Sequence, residues 1–334
     1  MRLPQVRVAL VANRSSGSGT DVDAVAAALR ARGAEVTPFD IADLDGARDA
    51  IVAALWPQGA GAGRAGGART QDPGAAGTGG ARAEDAGAAR TADAHDAGGA
   101  RLVVAGGDGS IAPVAALASV LEVPLAVVAS GTANDFAREL GLPRDPRDAC
   151  ALAADPAART LTLQLARAGA RPFVNAASCG LSVVAAHRAT PLKPRLGPLA
   201  YAAGALRAGL TGHPIAARVD DDAGRAVFDG HAWQVIVGAT GAFGGGSGIA
   251  EADPRDHLLD VVVVTAGSRL GLVRRAFGLR TGRIVRQRGV VHARSRALTI
   301  ATPAGTRWNI DGEVADPPAS SFANRDEQYE VVVP

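Results

Sequence analysis

The chain has 334 residues, 47% hydrophobic but only 4% aromatic; this length suggests about two domains, with cores built on Ala, Val and Leu. A formal net charge of +2 makes no case for nucleic acid. Lys193 is the only lysine and no Gly-x-x-x-x-Gly-Lys-Ser/Thr occurs, which excludes a P-loop NTPase and leaves backbone N–H groups, metal and arginine to meet any phosphate charge.

Residues 6–12 read as a first strand, 13–19 as a polar turn and 21–32 as a helix; 35–39 predict a second strand and 46–55 a second helix. From Pro57 to Gly99 there is no large aliphatic residue, so this stretch cannot bury a core. It is expected to be an inert, disordered insertion in place of a loop, where each doubling of length costs only ~0.6 kcal/mol. Residues 101–105 (Arg-Leu-Val-Val-Ala) then have the short β-branched character of a strand buried in a parallel sheet.

Gly106, Gly107 and Gly109 follow, with Asp108 among them and Ser110 after. The glycines allow a tight turn with N–H groups close to a ligand, and a helix over 111–121 would aim its positive end at an anion. Asp108 would repel phosphates unless a divalent cation lay between, which points to a Mg2+-nucleotide site; the plain alternative is a glycine-rich turn. A second loop repeats the arrangement. Residues 124–128 predict a strand, Ser130, Gly131 and Thr132 a turn, and Asp135 to Leu140 a short helix ended by Gly141 and Pro143. Either Asn134 or Asp135 could simply cap that helix. All three polar turns leave the carboxyl ends of strands, where ligands of open α/β sheets bind.

The ordered set Asn13-Arg-Ser-Ser-Gly17, Gly106-Gly-Asp-Gly-Ser110 and Gly131-Thr-Ala-Asn-Asp-Phe-Ala-Arg-Glu-Leu-Gly141 resembles the diacylglycerol kinase catalytic family, which includes bacterial diacylglycerol kinases and sphingosine kinases. Gly244-Gly-Gly-Ser-Gly-Ile-Ala250, residues 256–264 and Asp311-Gly-Glu313 match its later motifs in order. Gly-Gly-Asp-Gly alone is shared with NAD kinases and phosphofructokinases; the combination is far more specific. The resemblance implies ATP and Mg2+ as cofactors and a lipid substrate at the membrane surface. It implies nucleotide contacts from Asn13, Ser16, Gly17, Gly106, Gly107, Asp108, Gly109, Ser110, Gly131, Thr132 and Asn134. Asp108 and Asp135 match acidic positions linked to catalytic Mg2+, and Glu313 the position of the general base. A structural Mg2+ is implied at Asp256 with the carbonyls of Asp253 and Leu258, although Glu251 and His257 replace the family's Pro and Gly. The first loop also departs from the family pattern, with Ala112 and Pro113 where an amide and a carboxylate are usual.

After Pro143 the pattern changes. Residues 160–165, 171–176, 215–219, 233–238, 259–264 and 297–301 predict short strands, as in an antiparallel sandwich, and only 197–210 and 270–282 read as sizeable helices. The resulting expectation is an α/β + β fold: an ATP-binding three-layer α/β domain over 1–142 and a β-sandwich lipid-substrate domain over 143–334, the sandwich being implied by the resemblance. Between Asp260 and Asp311 there is no acidic residue but ten arginines, from Arg269 to Arg307. That stretch could face an anionic membrane or be balanced by acids elsewhere, such as Asp220 to Asp222. Cys150 and Cys179 have no metal-ligand spacing and the six histidines no close cluster, so buried thiols in a reducing compartment are expected. No signal core and no uncharged apolar run of ~18–20 residues is present, and a cytoplasmic protein, peripheral at the inner membrane face, is expected. An ATP-dependent lipid kinase is the leading reading. NAD kinase and a non-catalytic nucleotide- or lipid-binding regulator are the alternatives; the oligomeric state is left open.

Overall fold

The computed structural model describes residues 5–13, 21–57, 99–181, 183–184, 209, 211–243, 248–249, 253–315 and 320–334. Ser16, Gly17, nearly all of the 57–99 insertion and nearly all of the expected 197–210 helix lie outside these residues.

Strands β1 (Arg7–Ala12), β2 (Glu35–Asp40), β3 (Ala100–Gly106) and β4 (Leu125–Ala129) are parallel, in the order β2-β1-β3-β4. Pro38 lies in β2, at the sheet edge, where its missing N–H costs no ladder bond. Helices α1 (Val22–Ala31), α2 (Arg48–Leu55), α3 (Ile111–Leu121), α4 (Asp135–Glu139) and α5 (Pro146–Ala154) flank the sheet. Side chains alternate across it: Ala9, Val11, Leu102 and Val104 pack with Ile51, Leu55, Ile111 and Val114 of α2 and α3. Val8, Leu10, Val103 and Ala105 pack on the opposite face with Val25 and Leu29 of α1 and Ala149 and Ala153 of α5.

Helix α5 falls in the stretch whose pattern predicts strands. Its start is capped by Asp145, whose side chain accepts from Arg147 N at 2.7 Å, with Pro146 in the first turn. Nine residues, four of them alanine, carry little periodic signal. Burial against α1 and β4 stabilises them as a helix.

The second half is antiparallel: β5 (Arg159–Ala168), β6 (Arg171–Phe173), β7 (Ala176–Gly180), β8 (Ile215–Asp220), β9 (Ala226–Gly238), β10 (Leu259–Thr265), β11 (Val290–Ser295), β12 (Ala297–Ala301), β13 (Trp308–Ile310), β14 (Glu313–Ala315) and β15 (Ser321–Val333). One core gathers Phe173, Val235, Val237, Val261, Val263, Trp308 and Phe322. The other gathers Trp233, Ile236, Val262, Val264 and Ile284, with Leu272 and Leu279 of helix α6 (Arg269–Arg280) packed on it. The architecture is therefore an α/β layer followed by a sandwich-like β region. Strand β15 joins them, pairing antiparallel with β5 along nine registered positions and parallel with β4 at Val331↔Leu125. This seam sets the turns of the second half against the loops after β3 and β4.

Candidate active site

Both glycine loops leave the carboxyl ends of neighbouring strands, and Ser130 N donates to Gly106 O at 2.9 Å. They touch glycine to glycine: a Cβ on Gly131 would lie 2.6 Å from Gly107 Cα, so a larger side chain would force the loops apart. A Cβ on Gly106 would meet Ser110 Oγ at 2.7 Å. Asn134 adopts a left-handed backbone (φ +48°) and its Oδ1 accepts from Gly131 N at 2.8 Å. That local ring fixes the second loop.

Asp108 connects three segments. Its Oδ1 accepts from Phe136 N at 2.9 Å, at the start of α4, and from Asn175 Nδ2 at 3.3 Å, between β6 and β7. Asp135, next to Phe136, is buried and ion-paired with Arg138 one helical turn on. Thr132 is exposed, Ser110 is buried at the head of α3, and Asn13 lines the cleft described next.

A cleft of about 290 Å3 separates the two halves of the molecule, lined by Asn13, Gly109 and Ser110 on one side and Arg171, Asp311 and Glu313 on the other. Glu313 leans across it: its Oε1 lies 3.0 Å from where a Cβ on Gly109 would sit, and its Oε2 accepts from Arg171 Nη2 at 2.6 Å. The Glu313 side chain is 61% exposed, so the pair holds a geometry more than it stabilises the fold.

Beneath it lies Asp311, whose carboxylate accepts from Val174 N (2.8 Å), Asn175 N (2.9 Å) and Ala176 N (3.1 Å), while its own N–H donates to Ala176 O at 3.0 Å. This clasp divides the single strand expected over 171–176 into β6 and β7, because the N–H groups of Val174 and Asn175 serve Asp311. It also orients Asn175, whose side chain reaches Asp108 and whose Oδ1 lies 3.3 Å from Thr240 Oγ1. Burial, reinforced by the charge of Asp108, pushes the Asp311 carboxyl up to about 7, against the lowering effect of its three N–H donors.

The hydrogen bonds from Phe136 N and Asn175 Nδ2 both fall on Asp108 Oδ1, so Oδ2 faces neither of these donors. Mg2+ takes one or two carboxylates together with phosphate oxygens and water, so this donor set fits a nucleotide-borne Mg2+. The second expected cation site does not fit. Asp253 is held by the Arg255 side chain, which lowers its carboxyl from the ordinary value, and its carbonyl accepts from Asp256 N at 3.3 Å. Asp256 accepts from Leu258 N at 2.9 Å and pairs with Arg294, which also reaches buried Asp260 Oδ2 at 3.5 Å. A guanidinium sits beside the carboxylate that was expected to hold the cation.

Two family models match the chain in tandem: the diacylglycerol kinase catalytic domain over residues 7–166 and the YegS C-terminal NAD kinase beta sandwich-like domain over 175–331. Among curated relatives, a protein named "Probable lipid kinase YegS-like" from Pseudomonas aeruginosa PAO1 is 34% identical over 231 residues, 66% of this chain and 72% of the relative. The chain belongs to the diacylglycerol kinase family. A "Diacylglycerol kinase" of Bacillus subtilis is 26% identical over 238 residues, 70% of this chain and 77% of that protein. The solved structure of a diacylglycerol kinase from Bacillus anthracis shares the fold, with a TM-score of 0.66 at 18% identity, covering 100% of this chain and 99% of that one. As a member of this lipid kinase family, the protein is a phosphotransferase with an alcohol acceptor.

Of the residues expected in the kinase site, the structure brings Asn13, Gly109, Ser110 and Glu313 to one cleft, with Asp108 bonded to its floor through Asn175. Asp253, Asp256 and Leu258 lie in the turn before β10, with the arginines described above. Arg171, Asn175 and Asp311 belong to the site without having been expected there. An asparagine inside an otherwise apolar strand pattern was the signal for Asn175. The motif Asp311-Gly-Glu313 carried Asp311 in view but not its inward clasp.

Proposed function

We propose that this lipid kinase transfers the γ-phosphate of ATP, in the presence of Mg2+, to the free hydroxyl of diacylglycerol or a closely related lipid. The observation that carries this reading is the Glu313 carboxylate poised over Gly109, in a cleft shared by the phosphate loops and the second half of the chain. Nucleotide binding is assigned to residues 1–142 and acceptor binding to 143–334.

The glycine loops would present backbone N–H groups to the phosphates, aided by the N-terminal end of α3. Asp108, with Asp135 behind it, would hold Mg2+, which supplies neutralisation of phosphate charge when bound. Glu313, oriented by Arg171, would take the proton of the acceptor hydroxyl as its oxygen bonds to the γ-phosphorus and the bond to the ADP oxygen breaks. Asn175 and Asp311 position Asp108 and the turn that carries Glu313. Ala112 and Pro113 start α3 without side-chain donors, so phosphate recognition there falls to the backbone and Ser110.

The test is transfer of labelled γ-phosphate from ATP with Mg2+ to diacylglycerol, a sphingoid base, phosphatidylglycerol and NAD, with Asp108→Asn as control. Labelled diacylglycerol that disappears in the variant is the expected result. Labelled NAD would replace the reading with NAD kinase, and nucleotide binding without any product would leave a regulator.

A further inference from the structure

Four large apolar side chains are strongly exposed among the described residues, and two of them sit on one helix: Val273 at 70% and Phe277 at 69% exposure, four residues apart on α6. At about 100° per residue they project within about 40° of each other and about 130° from the mean direction of Leu272 and Leu279, which pack inward on the Trp233–Val262 core. Arg280 and Arg274 flank the pair on either side, and both are exposed. The turn that follows adds exposed Arg283, Arg286 and Arg288, with no acidic residue between Asp260 and Asp311.

Two arginines of the stretch are held within the fold. Arg269 is bound to the carbonyls of Gly209 and Gly212 and lies over the Trp233 ring, and Arg294 is paired with Asp256. Arg274, Arg283 and Arg288 thus leave exposed positive charge on this helix and the turn after it, while Arg296 and Arg307 are exposed elsewhere. That combination, aromatic and aliphatic tips within a basic rim, suits the boundary of an anionic bilayer, where the rings enter the acyl region and the guanidinium groups meet lipid phosphates.

The helix is also tied to the cleft. Leu279 O accepts from Gly248 N at 3.0 Å, and Ile249 N donates to Gly241 O at 2.7 Å. Gly241 lies under Glu139 at the end of α4, and its neighbour Thr240 lies beside Asn175, the partner of Asp108. A surface held by α6 would thus sit a few residues from the phosphate loops.

We propose that α6 is an interfacial anchor, with Val273 and Phe277 inserting into an anionic lipid surface and the surrounding arginines selecting its charge. This deepens the lipid-kinase reading by naming the surface from which the acceptor is drawn, and it rests on that reading for its purpose but not for its test. Full-length protein and a Val273→Ser/Phe277→Ser variant, matched by circular dichroism and melting temperature, are sedimented with phosphatidylglycerol-containing and with pure phosphatidylcholine vesicles. Wild type should bind the anionic vesicles preferentially, and the double variant should bind them at least about tenfold more weakly.

Transfer to a vesicle-embedded acceptor should fall in the variant far more than transfer to a short-chain acceptor dispersed in detergent. Equal binding by the two proteins, equal binding to both vesicle types, or no binding would overturn the anchor. So would light scattering that shows a wild-type dimer lost in the variant, since the apolar pair would then join two copies of the chain. Vesicle binding that follows the prediction without phosphate transfer in either format would sustain the anchor while removing the kinase reading.

Discussion

Two groups of carboxylates lie in this molecule, and their surroundings differ. At the cleft, Asp108 and Asp311 are held by neutral N–H donors, while Arg171 grips a single oxygen of Glu313 and Arg138 pairs with Asp135 behind Asp108. Before and within β10, Asp253, Asp256 and Asp260 meet Arg255, Arg294 and His292. The first group keeps lone pairs for a cation and a proton; the second is neutralised by its own chain. Acidity concentrated in sequence therefore does not mark a reactive or metal-binding site. The partners across the sheet decide, and here Arg294 stands directly opposite Asp260 in the β10–β11 ladder.

Changes that break this contrast should follow that division. Glu313→Gln should have the largest effect, lowering turnover ~10²–10⁴-fold with nucleotide binding and melting temperature kept; turnover near wild type would remove Glu313 from the role of base. Asn175→Ala should come next. Loss of its bond to Asp108, worth about 1 kcal/mol, predicts a turnover reduced on the order of tenfold with Mg2+ dependence shifted to higher concentration. An unchanged Mg2+ titration would argue that Asn175 does not position Asp108.

Asp311→Asn sharpens the comparison through pH. Burial raises the folded carboxyl from the ordinary carboxylate range to about 7, so its contribution to stability is present below about pH 4 and lost as pH rises through about 7. Melting temperatures of the two proteins should lie closest at acid pH, where Asp311 is neutral like the amide, and separate as pH rises through about 7, with the variant gaining relative to wild type. A wild type that gains stability over the variant as pH rises would mean that the three N–H donors outweigh burial and the ionised form is the one preferred.

The smallest effect belongs to the second group. Arg294→Ala strands Asp256 and the buried Asp260 and should cost about 1–2 kcal/mol, reduced because the guanidinium side chain is 36% exposed. Chelator should leave the wild-type melting temperature unchanged. A chelator-induced drop would show that a cation, not Arg294, holds the turn.

The parallel half was largely legible in the chain itself. Each of β1, β3 and β4 is a contiguous apolar run followed at once by its polar loop, so strand, turn and helix start are read from neighbours. The clasp was not legible, since Asp311 meets Asn175 across 136 residues and only the pairing of β13 with β7 brings them together. Strand β15 was hidden for a related reason. Its register shifts between Asn324 and Gln328, which breaks the period-two pattern, and its partners β5 and β4 lie far back in the chain. Arg294 over Asp256 is likewise a cross-strand event that no local motif announces.

The most direct test sets the two groups side by side. Phosphate transfer to detergent-dispersed diacylglycerol and thermal unfolding are measured on Glu313→Gln and Arg294→Ala at a temperature where both are folded. The account predicts that Glu313→Gln loses transfer and keeps its melting temperature, whereas Arg294→Ala keeps transfer and melts several degrees lower. Transfer retained by Glu313→Gln and abolished in folded Arg294→Ala would contradict it.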